Sequence, residues 1–591
     1  MKHTERSPDM TQIDEHKITI IVYKRDEAEY QRLLSQIRLL QIPAIGGKAT
    51  TCELVAMSSA YGSRATAYNV AMQQSTARYK VYLDTSILTL APAILPSLLQ
   101  AFSSADAAGM VGTWGSSLPL DGDFRHAKHN YGTYAWKDVA DGKTHQVLGG
   151  AGICYQRVQA LDGTCMATCV DVPWDEDVDD AYLATAHACR LQAEHRSTYV
   201  LTQLRDGAMV LASRPSPYFL TGLPEWFERA RKHFLSRYGA QIHPLVSILI
   251  PAYNQPKFCC EALESALHQT YSNIEILIGD DSTDQRVHKA LKPIIKQHGN
   301  IQYFYRGNQE GENAARNVHF LLNECHGVYV NLLFHDDMIY PTKIEKMMTH
   351  LVEDLDEEIA FITSRRDFVD SDGRSKGEIQ GYGGAKDITY AGQQICPQML
   401  QYQTNVIGEM STVLLRKSLL WQQDAYRTGV FYGYREDSMG DISTWLELLK
   451  NGRVCVFLDE KLSAFRDHPA QNTHNPETFL LSYLDWMNLF VLSYLHQTYL
   501  RTEADFAACC DSWRNHFHLR QTYLQDKISP AKKKAFDVFQ QEIAAIESKN
   551  YKNVIQLSIQ YMASTGADPA RLLAGTSDAM EILEGNIHAG Q

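Results

Sequence analysis

His335, Asp336 and Asp337 stand side by side at the end of the apolar run that starts at Val330. Adjacent carboxylates on one turn repel each other unless a cation or a ligand hydroxyl sits with them. Hard divalent cations such as Mg²⁺ or Mn²⁺ bind through one or two carboxylates plus substrate phosphates. The turn therefore fits a nucleoside diphosphate whose leaving charge a metal neutralises. Two other apolar runs end in polar groups. VSILI is followed by Pro251, Ala252, Tyr253 and Asn254, and EILIG by Asp280, Asp281, Ser282, Thr283 and Asp284. In an open parallel sheet, ligands bind beyond the carboxyl ends of the strands. One Asp or Ser in such a place is an ordinary helix cap; three polar strand ends on one edge make a candidate site.

These residues need a scaffold, and the sequence provides one twice. Ile18–Tyr23 (ITIIVY) and Val246–Tyr253 (VSILIPAY) are short β-branched runs of the kind buried in parallel sheets. A helical pattern follows each, at Glu27–Leu40 and Phe258–Gln269, and then a second apolar run, at Glu53–Met57 and Glu275–Gly279. Strands alternating with helices predict α/β layers around a parallel sheet. Each half also has a strand ending in acid: Lys80–Ser86 (KVYLDTS) and Val330–Asp337 (VNLLFHDD). The spacings are similar but unequal, as for two copies of one fold with different loops. The expected organisation is a flexible N-terminus (1–16), a first α/β domain (17–212), a helical linker (213–243), a second α/β domain (244–476) and a helical C-terminal domain (477–591).

The chain has 591 residues, and its formal net charge is −13. It lacks the charge of a general nucleic-acid binder, although Lys532–Lys534 form a local basic run. The first residues contain no apolar core of a signal peptide, and no unbroken run of 18 apolar residues occurs, so the expectation is a cytoplasmic chain. Its 12 cysteines fit reduced thiols. Cys165, Cys169, His187 and Cys189 match the spacing of no common zinc module. The aromatic stretch Tyr483–Leu500 reads as a bundle core or a subunit contact that would make a homo-oligomer. Its rival reading is a helix lying on the inner face of a membrane.

At this point the residues resemble a known family. VSILIPAYNQPKFCCEALESALHQTYSNIEILIGDDSTD resembles the opening of the family 2 inverting glycosyltransferases, which have the GT-A fold. ENAARN (312–317), LLFHDDMIYP and the stretch MGDISTWLELLKNGRVCVFLDEKLSAFRDHPAQNT resemble the later motifs of that family, so the resemblance covers about 245–474. It implies that Pro251, Ala252, Tyr253 and Asn254 line the nucleotide base and that Asp281 hydrogen-bonds it. It puts Arg316 and Asn317 near base and diphosphate, Asp336 on the ribose and Asp337 on Mn²⁺ or Mg²⁺. His335 replaces the first acid of the family's D-x-D turn. Asp441 takes the role of catalytic base, with Glu436 and Asp437 as neighbours of the same type. Arg466 and His468 would reach the diphosphate or the metal from a closing loop. The implied activity moves a sugar from a nucleotide-diphospho-sugar donor to a glycan, lipid-linked or protein hydroxyl.

Residues 18–205 resemble a GT-A-type domain associated with streptomycin-biosynthesis proteins, through LDTSIL, GMVGTWG, LDGTCMAT and VPWDEDVDDAYL. Here the first strand runs into Lys24-Arg25-Asp26, and the metal turn keeps only Asp84. A lone carboxylate is a weak Mg²⁺ site, so the expectation is a non-catalytic or acceptor-binding domain. The rival is a second transferase with Asp175, Glu176 or Asp177 as base, giving a two-headed polymerase. A non-catalytic carbohydrate- or nucleotide-binding scaffold is the alternative from another class. The fold class expected overall is α/β: two tandem GT-A domains plus a helical C-terminal domain.

Overall fold

The computed structural model describes residues 13–576, apart from 139–141, 151–153, 203–208, 220–221, 223, 308–313, 383, 385, 423–424, 427, 437 and 472–473. The chain divides into two compact units, Met1–His243 and Pro244–Gln591.

The first unit is built on a seven-stranded sheet. Its order is Thr51–Ser58, Asp14–Lys24, Ala77–Asp84, Cys165–Thr168, Ala108–Gly112, Ser197–Leu201 and Tyr155–Val158. The first three strands are parallel, and Cys165–Thr168 runs antiparallel to both of its neighbours. The period of two along a strand explains why the first run is apolar throughout. Ile18, Ile20 and Val22 pack with Leu33, Leu95 and Leu98 on one face, while Ile21 packs with Tyr68, Tyr82 and Met110 on the other. The expected linker contains the helix Glu225–Ile242, whose Phe227, Ala230, Phe234 and Tyr238 recur at helical spacing. They pack against Trp114, Phe124 and Tyr182 of the first unit.

The second unit repeats this plan. Its sheet runs Ile301–Tyr305, Ile274–Asp280, Val246–Ala252, Tyr329–Leu332, Leu414–Arg416, Ile359–Val369, Val454–Arg466 and Met338–Ile339. The first four strands are parallel, Leu414–Arg416 is antiparallel to both neighbours, and Ile359–Val369 pairs parallel with Val454–Arg466. The same antiparallel strand sits at the same place in both units. Two tandem α/β domains of one plan are therefore visible in the pairing order itself.

Helices Pro476–Leu495, Glu503–Phe517, Lys533–Glu547 and Tyr551–Ser564 follow. Their apolar faces do not close on themselves alone. Leu480, Leu484 and Met487 share one cluster with Ile395, Met399, Trp445 and Leu446 of the α/β layer. Pro476–Leu495 is long and apolar enough to cross a membrane, yet most of it is buried within this unit. Cys165 and Cys189 lie in different clusters, and His187 stacks on Trp174 with ring centroids 3.8 Å apart. Burial pushes the His187 imidazole down to about 3. No zinc site forms there.

Candidate active site

The turn after Tyr329–Leu332 is fixed from several sides. Leu333 N–H donates to Leu249 O at 2.9 Å, and Asp337 N–H donates to Phe334 O at 3.0 Å. A ring nitrogen of His335, Nδ1, lies 3.1 Å from Pro251 O. The imidazole thus joins this turn to the strand end that was expected to meet the nucleotide. Asp336 Oδ2 is 3.0 Å from His468 Nε2. Asp337 is buried, and its Oδ1 accepts Arg466 N–H at 3.2 Å. Burial and the neighbouring Asp336 charge hold the Asp337 carboxyl well above the usual carboxylate range. Lys343, also buried, is lowered to about 7 by desolvation, with the Asp337 charge acting in the opposite direction.

Arg466 ends the long strand Val454–Arg466 and is 1% exposed. Nε donates to Asp336 O at 2.8 Å, Nη1 to Ser371 O at 3.1 Å, and Nη2 pairs with Glu261. Its guanidinium lies 4.5 Å above Phe258. One arm thus holds the turn and the other two go to Ser371 and Glu261, whereas the family resemblance has Arg466 reaching for the diphosphate or the metal. His468, which that reading gave to diphosphate or metal, is buried against Asp336 and Phe258.

Asp441 lies in the first turn of the helix Gly440–Leu449 and is partly buried. Oδ1 accepts its neighbour's backbone N–H, Ile442, at 2.8 Å, and Oδ2 accepts Asn405 Nδ2 at 2.6 Å. Burial first, and the charge of Glu409 in addition, raise its carboxyl to about 6. Glu409 also raises Asp337, so one carboxylate lies close enough to act on both the base candidate and the metal turn. Asn405 is itself held, exchanging hydrogen bonds of 3.0 Å with Gly408 O and Gly408 N–H. Trp445 Nε1 adds a third bond to this loop at 3.0 Å. Gly408 has φ +118°, and a Cβ there would sit 3.0 Å from the guanidinium of Arg366. Arg366 in turn pairs with Glu409 at 2.5 Å. The loop Asn405–Glu409 was not found from the sequence, because nothing in its composition marks it.

Pro251 and Ala252 close a buried strand, while Tyr253 is exposed beyond it. Asn254 adopts φ +50°, a conformation Asn tolerates better than most residues. Its N–H donates to Ser282 Oγ at 2.9 Å, and its Oδ1 accepts Thr283 N–H at 3.0 Å. Asp281 is buried, and its N–H donates to Ala252 O at 3.0 Å. The two strand ends are thus tied to each other. Asn317 Nδ2 donates to Gly279 O at 2.8 Å. A Cβ at Gly279 would come within 2.1 Å of Asn317 Oδ1, so this close approach requires glycine. Arg316, on the same helix, is exposed. Glu436 is buried, and Asp437 lies outside the described residues.

Residues 247–421 match the family described as Glycosyl transferase family 2. The second unit carries a family 2 glycosyltransferase domain. Residues 19–238 match a second description, Glycosyltransferase like family. An uncharacterized glycosyltransferase of Rickettsia typhi is 30% identical over 235 residues, covering 39% of this chain and 66% of that protein. The chondroitin synthase of Escherichia coli is 33% identical over 122 residues, or 21% of this chain and 17% of that enzyme. The chain thus spans less than two thirds of the length of these relatives. Residues 1–349 of S. aureus TarS, in complex with UDP-GlcNAc, overlay with TM-score 0.37 at 18% identity, covering 54% of this chain and 92% of that one.

The glycosyltransferase-like first unit differs where the chemistry would be. Asp84 ends its strand, as the sequence reading expected, but its carboxylate is already matched by cations. Arg64 Nη2 donates at 2.8 Å and Arg214 Nη2 at 3.2 Å, and Ser86 N–H adds 2.8 Å. The buried Arg64 guanidinium holds the Asp84 carboxyl far below the usual carboxylate range. The rival base candidates are committed as well. Asp175 is buried and accepts Arg237 Nε at 2.9 Å and Tyr238 OH at 2.6 Å. Glu176 takes Thr66 Oγ1 at 2.9 Å and Asn69 Nδ2 at 2.8 Å, and Asp177 pairs with Arg237 at 3.2 Å.

Proposed function

We propose that the second unit transfers a sugar from a nucleotide-diphospho-sugar donor to an acceptor hydroxyl with inversion, and that Asp441 is its base. The observation that carries this reading is a partly buried carboxyl raised to about 6, oriented by Asn405 and sharing Glu409 with the His335-Asp336-Asp337 turn. A base poised near neutrality is suited to take a proton from a hydroxyl as it attacks. The acceptor oxygen forms its bond to the anomeric carbon, its proton passes to Asp441, and the bond to the diphosphate breaks with the electron pair leaving on the nucleotide. One displacement inverts the centre.

Asp337 is the residue that would hold Mn²⁺ or Mg²⁺, with Asp336 beside it on the ribose. The fit rests on a buried carboxyl destabilised by a second carboxylate, a pair that a divalent cation would relieve. Among the described residues no group of three or more His, Cys, Asp or Glu is arranged to hold a metal. The remaining ligands would therefore be donor phosphates and water, the usual pattern for Mg²⁺. Bound there, the cation would neutralise the departing diphosphate. Pro251, Ala252, Tyr253, Asn254 and Asp281 are proposed to face the base, and Arg316 and Asn317 the base and diphosphate. Acceptors of three kinds fit the reading: a glycan, a lipid-linked sugar and a protein hydroxyl.

We assign the first unit no transfer step. Its one strand-end acid is paired with two arginines, and its candidate bases hold structural partners. The test is a thermal-shift panel of nucleotide sugars with Mn²⁺, followed by donor consumption with and without candidate acceptors. One donor should raise the melting temperature and be consumed. Nucleoside diphosphate binding without consumption of any donor would leave a scaffold in place of an enzyme.

A further inference from the structure

The helix that carries Asp441 starts at Gly440, and its N-cap residue, Met439, makes no side-chain cap bond. Within the first turn Asp441 itself takes Ile442 N–H. The acceptor for the two residues just before the helix comes from the C-terminal helices. Asp485, in the middle of Pro476–Leu495, is fully buried, between Leu484 and Trp486 in a largely apolar cluster. Its Oδ2 accepts Ser438 N–H at 2.7 Å, Ser438 Oγ at 3.0 Å and Met439 N–H at 3.1 Å. A carboxylate in such surroundings is costly unless its oxygens are satisfied. These three bonds run to the two residues that lead the chain into the helix.

We propose that Asp485 is a positioning residue of the transfer site. It fixes the entry of the Gly440–Leu449 helix, and with it the place of Asp441 in the first turn. The C-terminal helices would then be part of the catalytic apparatus through this contact. The two ends of the Asp441 carboxylate are set by Ile442 N–H and Asn405, and both contacts depend on where the first turn begins. A shift of the helix start of the order of 1 Å would misplace the base, and displacements of that size cost on the order of 10²-fold in rate.

This inference rests on Asp441 as base, so the experiment has two independent readouts on the full chain. The first is amide hydrogen exchange, which needs no ligand. Asp485→Ala should lose protection from Ser438 to about Trp445 while the rest of the second unit keeps it. Loss spread evenly over the unit would mean a merely structural residue and would overturn the proposal. The second is turnover, read as UDP or GDP released from a panel of UDP- and GDP-sugars with Mn²⁺. Asp485→Ala should lower kcat roughly 10- to 100-fold and leave the donor KM within about twofold. Asp485→Asn, which keeps an acceptor oxygen, should recover to within about fivefold of the parent, since Asn and Asp serve comparably as caps. An asparagine variant as slow as the alanine variant, or an alanine variant with unchanged kcat, overturns the proposal. Should Asp485→Ala fail to fold, the double variant Ser438→Ala with Asp485→Asn decides against its two single variants: a kcat loss that departs from the product of the single losses supports the contact, and simple additivity overturns it. A parent protein that releases no nucleoside diphosphate refutes the transfer reading, and the exchange data then decide alone whether Asp485 holds this helix start.

Discussion

Arg64 Nη2 lies 2.8 Å from Asp84 Oδ2 in the first unit, with both side chains about nine-tenths buried. In the second unit, Asp336 at the corresponding strand end meets His468 instead. A lone aspartate at a strand end is ordinarily a turn cap, whose loss costs about 1 kcal/mol. The structure shows a buried ion pair, and removing one partner from such a pair costs about 3–5 kcal/mol, because the other charge stays behind. Asp84→Ala should therefore lower the melting temperature of the first unit clearly while transfer by the second unit continues. Calorimetry of the full chain beside an activity assay checks this; a stability loss under about 1 kcal/mol would restore the cap reading.

The base should set an acidic limb in the rate. Asp441 is raised from 3.8 to about 6, so it carries its proton below that value and is free to accept one above it. Turnover should rise as pH passes upward through about 6 and fall to about a tenth one unit below. Stability moves the opposite way. The proton bound more tightly in the folded state contributes fully below about pH 4, and that contribution is lost as pH rises through about 6. A rate profile flat down to pH 4.5 would remove Asp441 from the role.

Asp441→Asn should retain donor binding and lose about 10²–10⁴-fold in kcat, because an amide cannot take the acceptor's proton. The amide oxygen can keep one of the two bonds, to Asn405 or to Ile442 N–H, and the other is lost, so the variant should fold with a modest drop in stability. Stopped-time assays against the parent measure the loss. A tenfold or smaller effect would shift attention to Glu436.

Asp337→Ala should abolish the response to Mn²⁺ and reduce transfer on the order of 10²-fold or more. It removes a buried carboxyl that is destabilised where it stands, so the melting temperature without metal should hold or rise. Titration of Mn²⁺ against both proteins is the measurement; equal metal activation curves would refute the assignment.

Ending the chain after residue 475 should produce aggregates. The helix Pro476–Leu495 supplies Leu480, Leu484 and Met487 to a cluster that includes Trp445 and Leu446, and its removal uncovers that surface. Size-exclusion chromatography reports the outcome, and a soluble, fully active truncation would contradict it.

The strand ends were legible because buried parallel strands show up as continuous apolar runs, and the polar residue after each run is where a ligand can sit. Pro251–Asn254, Asp281 and His335–Asp337 all came from that rule, and Asp441 from the family motif. What escaped was contact across sequence distance. Asn405 meets Asp441 from 36 residues away, and Arg64 meets Asp84 from 20. No periodicity encodes either approach. Arg466 shows a different limit. The family resemblance puts it at the diphosphate or the metal, but the sequence does not say that Glu261, Ser371 and Asp336 already surround it. The shared core of the α/β layer and the C-terminal helices was equally hidden, since helical periodicity reveals an apolar face and not its neighbour.

The tie between Asp485 and Ser438 also orders events during synthesis. The strands that end at Ala252, Asp280 and Leu332 leave the ribosome well before the helix that bears Asp441. Asp485 follows Ser438 by 47 residues. A nascent chain can therefore assemble the nucleotide-facing edge while the helix start is still untethered. The proposed acid–base half of the site is completed only when the helix bearing Asp485 emerges and docks, so a chain released before that point would carry the strand edge on an uncovered, aggregation-prone apolar surface.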